Sequence, residues 1–371
     1  MPLHIPRIRG VDFLAEGRQL GYLEIEHSDN AHDAAVIPSP IAVLSGGAGP
    51  TVLLIAGTHG DEYEGQILLQ ELIRSIDPAE VSGRLIVLPA LNIAAVREGR
   101  RVASVDGVNL NRSLPGDAAG GPAQQIASIV AEDLIPLADF VMDIHSGGIA
   151  SEYVPSAFVY HGPTPELWAQ KTAAVAAFNV PYSVVVQPML KSGSISGAAD
   201  RAGVPMISTE LGGRGTVSLP ILQRARKGLR ALLGHWGLLQ DDASAERSPV
   251  RSPAQSPVPS AGRSTAHSAV KSAVKSAVHW VELTPQSPVN STMAGLFEPT
   301  VELGQRVVAG DVVARVHSVE ELDRPSKEYF APIDGVVAIV RHPAPVNVGT
   351  TLVNIAVDHG TTHPEGNYVT S

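Results

Sequence analysis

A chain of 371 residues, 44% hydrophobic and 17% charged, has the composition of an ordinary globular protein and is long enough for more than one domain. It contains no cysteine, which excludes disulfide scaffolds, thiolate metal sites and cysteine nucleophiles, so any metal must sit on His, Asp and Glu. A formal net charge of −10 without a basic stripe argues against nucleic acid and anionic membrane as partners.

The first segment, MPLHIPRIRGVDFLAEGR, mixes charges with prolines and has no apolar core, so no signal peptide is expected. No stretch approaches about 18 apolar residues, so no membrane span is expected, and a cytoplasmic location is. Residues 1–40 are expected to form an N-terminal β segment. Over residues 41–240 strand-like and helix-like stretches alternate. Thr51–Ala56 is a short apolar run suited to a strand covered on both faces. Glu64–Ile76 reads as a helix, with Ile67, Leu68, Leu72 and Ile76 at helical spacing. Strands are expected at Arg84–Pro89, Ala138–Ile144, Ser183–Gln187 and Val204–Thr209, and helices at Gln124–Leu134, Pro165–Phe178 and Leu219–Leu233. This alternation predicts an α/β fold, a mixed sheet with helices on both faces, whose sites form just past the carboxyl ends of the strands.

Residues 241–278 are rich in Ser, Ala and Pro and offer little to a core, which predicts a flexible linker or insertion, or a segment that binds a partner. Residues 279–360 are β-like, with turn-and-strand signals at Val307–Asp311 and Ala331–Val337, and predict a small C-terminal β-domain of barrel-sandwich type. Its two halves resemble the sandwiched hairpins of biotinyl and lipoyl domains. Those carriers show a modifiable Lys at a hairpin tip; here Val319–Asp323 has none and Lys327 sits too near the next strand, so the fold is expected without the carrier function. Residues 361–371 are a tail.

The run IAGTHGDEYEG ends an apolar strand in imidazole and carboxylate together, which a strand that only builds a core does not need. His59 and Glu62, three apart in a loop, can approach one point. Zinc in hydrolases is commonly held by two His and one carboxylate with a fourth position kept for water, so a second His is required. His145 supplies it, again just after an apolar strand, in DIHSGG. The plainer alternatives are a helix-capping loop with Asp61 as the cap, and a hydrogen-bonded structural His145. Glu210, in STELGG after a further strand, is placed to act as general base, with neighbouring glycines leaving room for substrate; alone it would read as a surface turn residue. Asn111 and Arg112 in VNLNR give donors suited to a substrate carboxylate, and Arg100 and Arg101 can polarise a carbonyl, the alternatives being a salt bridge and a solvated loop. Asp143 can hold His145, or face the other way along its strand.

HGDE, NLNR, DIHSG and TELGG in this order resemble the succinylglutamate desuccinylase/aspartoacylase family, a branch of the zinc-carboxypeptidase fold, over roughly residues 40–238 plus the small β-domain. The resemblance implies that 41–240 is a zinc hydrolase catalytic domain with one zinc ion per chain. It implies His59, Glu62 and His145 as ligands, Glu210 as the catalytic carboxylate and Asn111 with Arg112 as the substrate-carboxylate clamp. The carbonyl-polarising arginine is taken as Arg101, with Arg100 the other choice. Where close relatives often read DLNR, this chain has Asn109. The activity implied is hydrolysis of a linear amide, removing a small acyl group from an N-acylated amino acid. The small β-domain and the TELGG form are similar to bacterial deacetylases of N-acetyl-diaminobutyrate. The rivals are desuccinylase- or aspartoacylase-type activity, a peptide carboxypeptidase, and a metal-free scaffold. Association with further copies of the chain stays open.

Overall fold

The computed structural model describes residue 3 and residues 5–30, 33–186, 193–239 and 278–360. The expected linker (but for residue 278), the tail and the last residue of the strand expected at Ser183–Gln187 lie outside these described residues.

The sheet begins with β1 (Ile8–Arg9) against β2 (Gly17–His27), which pairs along its whole length with β3 (Ala35–Ser45). β2 buries Leu23 and Ile25 and exposes Arg18, Leu20, Tyr22 and Glu26, the period of a strand with one wet face. β3 runs across residue 40 and pairs at its far end with the body of the sheet, so the N-terminal segment is continuous with it. There follow β4 (Thr51–Ala56), α1 (Tyr63–Ser75), β5 (Arg84–Leu88), α2 (Ile93–Glu98), α3 (Pro122–Ser128), β6 (Phe140–His145), β7 (Ser151–Tyr153) and β8 (Ser156–Tyr160). Then come α4 (Pro165–Phe178), β9 (Tyr182–Val186), α5 (Ile195–Ala202), β10 (Met206–Glu210) and α6 (Leu219–His235). In space the strands run β1-β2-β3-β5-β4-β6-β10-β8-β9, with β5, β4, β6 and β10 parallel to one another.

β4 and β6 are buried throughout because helices cover both faces. Val52, Leu54 and Ala56 pack into a core shared with α1, α4 and α6, whereas Leu53 and Ile55 pack into a second core shared with α3 and α5. Each of these leucines stabilises the fold by about 1.5–3 kcal/mol relative to an exposed side chain. Among the described residues no helix is long and apolar enough to cross a membrane.

The small β-domain comprises β11 (His279–Leu283), β12 (Pro288–Asn290), β13 (Gly295–Pro299), β14 (Arg306–Val307), β15 (Val312–His317), β16 (Lys327–Phe330), β17 (Gly335–Arg341), β18 (Pro345–Val346) and β19 (Thr351–Asp358). The sheet β16-β15-β13-β18 packs on β12, β19 and β17 around Phe297, Val313, Val316, Tyr329, Leu352 and Ile355. Lys327 opens β16 opposite Val316, inside the ladder rather than at a hairpin tip.

This domain is not merely tethered. β11 extends the large sheet, parallel to β9 with Val186 opposite Leu283, and β19 and β17 follow it. β17 then pairs with β7, Ile339 opposite Tyr153, and only residues 154–155 separate β7 from β8. The strands β8-β9-β11-β19-β17-β7 thus curl back to their starting point and enclose one end of the parallel sheet.

Candidate metal centre

β4, β6 and β10 are neighbours, with Ala56 opposite Ile144 and His145 opposite Glu210. The turn after β4 carries His59; Glu62 stands immediately before α1; His145 and Glu210 are the last residues of their strands. Three adjacent carboxyl ends therefore converge, where parallel sheets place their sites. His59 Nδ1 lies 2.7 Å from Glu62 Oε1, and His145 Nδ1 lies 2.7 Å from Glu62 Oε2. One donor atom from each of the three residues falls within 4.8 Å of the others, and all three residues are buried. The imidazole rings are 5.0 Å apart between centroids.

The outer nitrogens are also held. Asp143 and His145, two apart on β6, face the same way: Asp143 Oδ2 is 2.7 Å from His145 Nε2, and its Oδ1 accepts from the Thr58 hydroxyl at 3.0 Å. Asn109 Oδ1 is 3.1 Å from His59 Nε2. Both Nδ1 atoms thereby point inward. Asp61 is not a helix cap, because its Oδ2 accepts from the Ile149 amide at 2.9 Å and fixes the turn after β6. Nor do all the glycines make room for substrate. A Cβ on Gly213 would lie 2.0 Å from the Ser151 carbonyl oxygen, and one on Gly147 2.3 Å from the same atom, so these glycines let the loops after β6 and β10 touch.

Arg101 Nη1 reaches within 3.3 Å of both His59 Nδ1 and Glu62 Oε1, while Arg100 turns away to the Ser104 hydroxyl. Asn111 is partly engaged: its Oδ1 accepts from the Ile195 amide at 3.0 Å, and its Nδ2 lies 3.3 Å from His145 Nε2. Arg112 donates to the Asn111 carbonyl at 2.7 Å and is solvent-accessible at the cavity wall. Glu210 is half-buried, and its Oε2, although fully covered, has no hydrogen-bond partner.

His59, Glu62, Arg101, Asn111, Arg112, His145 and Glu210 line one cavity of about 400 Å³, towards the lower end of the ~300–1,000 Å³ usual for ligand sites. A larger hollow of about 830 Å³ lies at Gly17, Gly46 and Pro78, but its side chains offer no combination for catalysis. The far wall belongs to the curled strands. Tyr160, Val186 and Leu283 form one cross-strand row, and Tyr153, Ile339 and Asn354 another; all six line the cavity with Phe158 and Ser208. The sequence marks a strand over Val186 and a small β-domain able to cap the site, but none of these side chains as cavity wall, since β7 and β8 are short and nothing in β17 and β19 shows which strand lies alongside.

The electrostatics fit a cation. Burial would push Glu62 up, but the charges of His59 and His145 outweigh it and hold its carboxyl well below the usual range. Burial would likewise depress His145, yet Asp143 and Glu62 raise it well above free imidazole. Burial and then the Glu62 charge push Glu210 well above the ordinary carboxylate value, against the pull of His145 and Arg101. Two inward nitrogens, a carboxylate facing both and an unpartnered carboxylate oxygen alongside suit a small divalent ion with room for water.

A family model, the succinylglutamate desuccinylase/aspartoacylase catalytic domain, matches residues 48–236. The chain is 34% identical over 347 residues, 93% of each protein, to the N-alpha-acetyl-L-2,4-diaminobutyric acid deacetylase of Halomonas elongata. Among solved structures it resembles the product-bound ectoine utilization protein EutE (DoeB) from Ruegeria pomeroyi, at 32% identity and TM-score 0.82, covering 95% of this chain and 100% of that one. It is equally similar to a succinylglutamate desuccinylase/aspartoacylase from Rhodobacter sphaeroides, at 31% identity and TM-score 0.82, with the same coverage.

Proposed function

Because this chain belongs to the succinylglutamate desuccinylase/aspartoacylase family, whose members hydrolyse the amide of acyl amino acids, we propose that it is a zinc-dependent deacetylase of an Nα-acetylated diamino acid, N-alpha-acetyl-L-2,4-diaminobutyrate first. The observation that carries the reading is the His59–Glu62–His145 cluster beside Glu210 in one cavity, in a chain this similar to such a deacetylase over nearly its whole length.

His59 and His145, through Nδ1, and Glu62 would hold the ion. Bound zinc supplies Lewis acidity, which brings the pKa of a water towards about 7 and draws charge from a carbonyl. Glu210 takes the proton of the attacking water on its unpartnered oxygen and delivers it to the departing amine. Arg101, already against the cluster, donates to the carbonyl oxygen as negative charge develops there. Arg112, with the free edge of the Asn111 amide, binds the substrate's α-carboxylate. Tyr153, Ile339 and Asn354 close off the side-chain end, which favours a small substrate over a peptide.

A hydrolysis screen over N-acetyl, N-succinyl and N-formyl amino acids, with zinc present, tests this. Highest kcat/KM on an Nα-acetyl diamino acid is expected. A preference for N-succinyl substrates would replace the acyl assignment, and a zinc-loaded protein hydrolysing none of them would end the proposal.

A further inference from the structure

The two histidines of the cluster are held from behind by unlike groups. His145 Nε2 meets a carboxylate, Asp143 Oδ2, at 2.7 Å, whereas His59 Nε2 meets an amide oxygen, Asn109 Oδ1, at 3.1 Å. The orientation of that amide follows from the backbone. Asn109 precedes the short helical turn Leu110–Arg112, and its side chain accepts from the Asn111 backbone N–H at 3.1 Å. A backbone N–H can only donate, so the atom it meets must be the amide oxygen. The same oxygen meets His59 Nε2, and an oxygen without hydrogen can only accept. His59 Nε2 must then carry a proton, and Nδ1, facing Glu62, is the nitrogen left to turn its lone pair towards a metal.

We propose that Asn109 is the positioning residue for His59: an uncharged acceptor, pinned by the turn it caps, that fixes the Nε2–H tautomer and aims Nδ1 at the metal. The inference rests on the reading of His59, Glu62 and His145 as metal ligands. It gives the departure from DLNR a physical meaning, because tautomer control needs an acceptor and not a charge. Partners of this kind typically contribute 10–100-fold to metal affinity.

The test is zinc affinity by chelator competition at fixed pH, with ¹⁵N-histidine NMR of the zinc-loaded protein to report the Nε2–H proton of His59. Asn109→Leu keeps the bulk and removes the acceptor; zinc Kd should rise about 10–100-fold, and that proton should lose its hydrogen-bonded shift and exchange faster with water. Asn109→Asp accepts the same two hydrogens and should restore both affinity and the protected proton, which a merely space-filling residue would not require. Unchanged affinity and proton exchange in Asn109→Leu overturns the proposal. So does an Asn109→Asp protein that binds zinc more than tenfold worse than wild type, and that arm stands even where the leucine variant fails to fold. A wild-type protein that takes up no stoichiometric zinc overturns the metal site itself, a result distinct from either.

Discussion

Replacing Glu210 by Gln separates catalysis from metal binding in one step. The substitution is isosteric at the last residue of β10 and touches none of the cluster's donor atoms. It removes the group assigned to move a proton, and general acid–base catalysis contributes about 10²–10⁴-fold. At 1.36 kcal/mol per tenfold that is about 3–5 kcal/mol of barrier. Zinc content should stay at one per chain and KM should change little. Stability should move the other way. Burial and Glu62 raise the folded-state pKa of Glu210, so its protonated form favours the fold at low pH and that stability is lost as pH rises through the raised value. The metal-free Gln variant keeps a neutral side chain at every pH, so it should melt equal to metal-free wild type below the ordinary carboxylate value and increasingly higher above it, the gap levelling off once pH passes the raised value. The assay is amine release from N-acetyl-diaminobutyrate, with metal content and thermal melts on the same preparations. A fully zinc-loaded Glu210→Gln enzyme with kcat within tenfold of wild type would refute the assignment.

Arg101→Ala should lower kcat by about 10²–10³-fold, as the loss of one oxyanion donor does, whereas Arg100→Ala, whose side chain faces Ser104, should remain near wild type in steady-state kinetics. Zinc affinity should weaken as pH falls, because protons compete for the ligand nitrogens. Burial depresses His145, but Asp143 and Glu62 outweigh it, so the loss should begin above the 6.5 of free imidazole in a chelator titration against pH. Asn354→Leu should alter KM unequally among N-acetyl amino acids of different side chain while leaving zinc content unchanged; equal KM ratios would remove Asn354 from the recognition wall. Gly213→Ala forces a Cβ towards the Ser151 carbonyl at a φ of +148°, and urea unfolding should register a loss of at least about 1–3 kcal/mol.

The strands that carry the chemistry were the most legible part of the fold. Runs such as Val52–Ala56 and Phe140–Met142 are apolar on both faces because helices cover both, and their exits hold polar residues that no core requires. The pairing of His59 with Glu62 could be read from spacing, and His145 from its place at a second exit. Arg101 could not be separated from Arg100, since adjacent residues in an irregular segment give no periodicity to decide which one faces inward. Asn109 is silent as a letter, and only its contact with His59 Nε2 gives it a role. α5 went unseen because its buried residues, Ile195 to Ala199, are consecutive and, after Ile195, too small to mark an apolar stripe. The cavity wall was out of reach for a different reason. Strand patterns show which face is buried but not which strand lies alongside, and the partnership of Tyr153 with Ile339 joins residues that are 186 positions apart.

The ladder joining β9 to β11 and β17 to β7 makes the small domain part of the vessel rather than its cover. Swinging it aside would break backbone pairings on two flanks at once, so admission of substrate has to rely on the loops at the cavity mouth. Discrimination would then come from a cup of fixed dimensions, and altered preference from changing the residues of its lining rather than from loosening a joint.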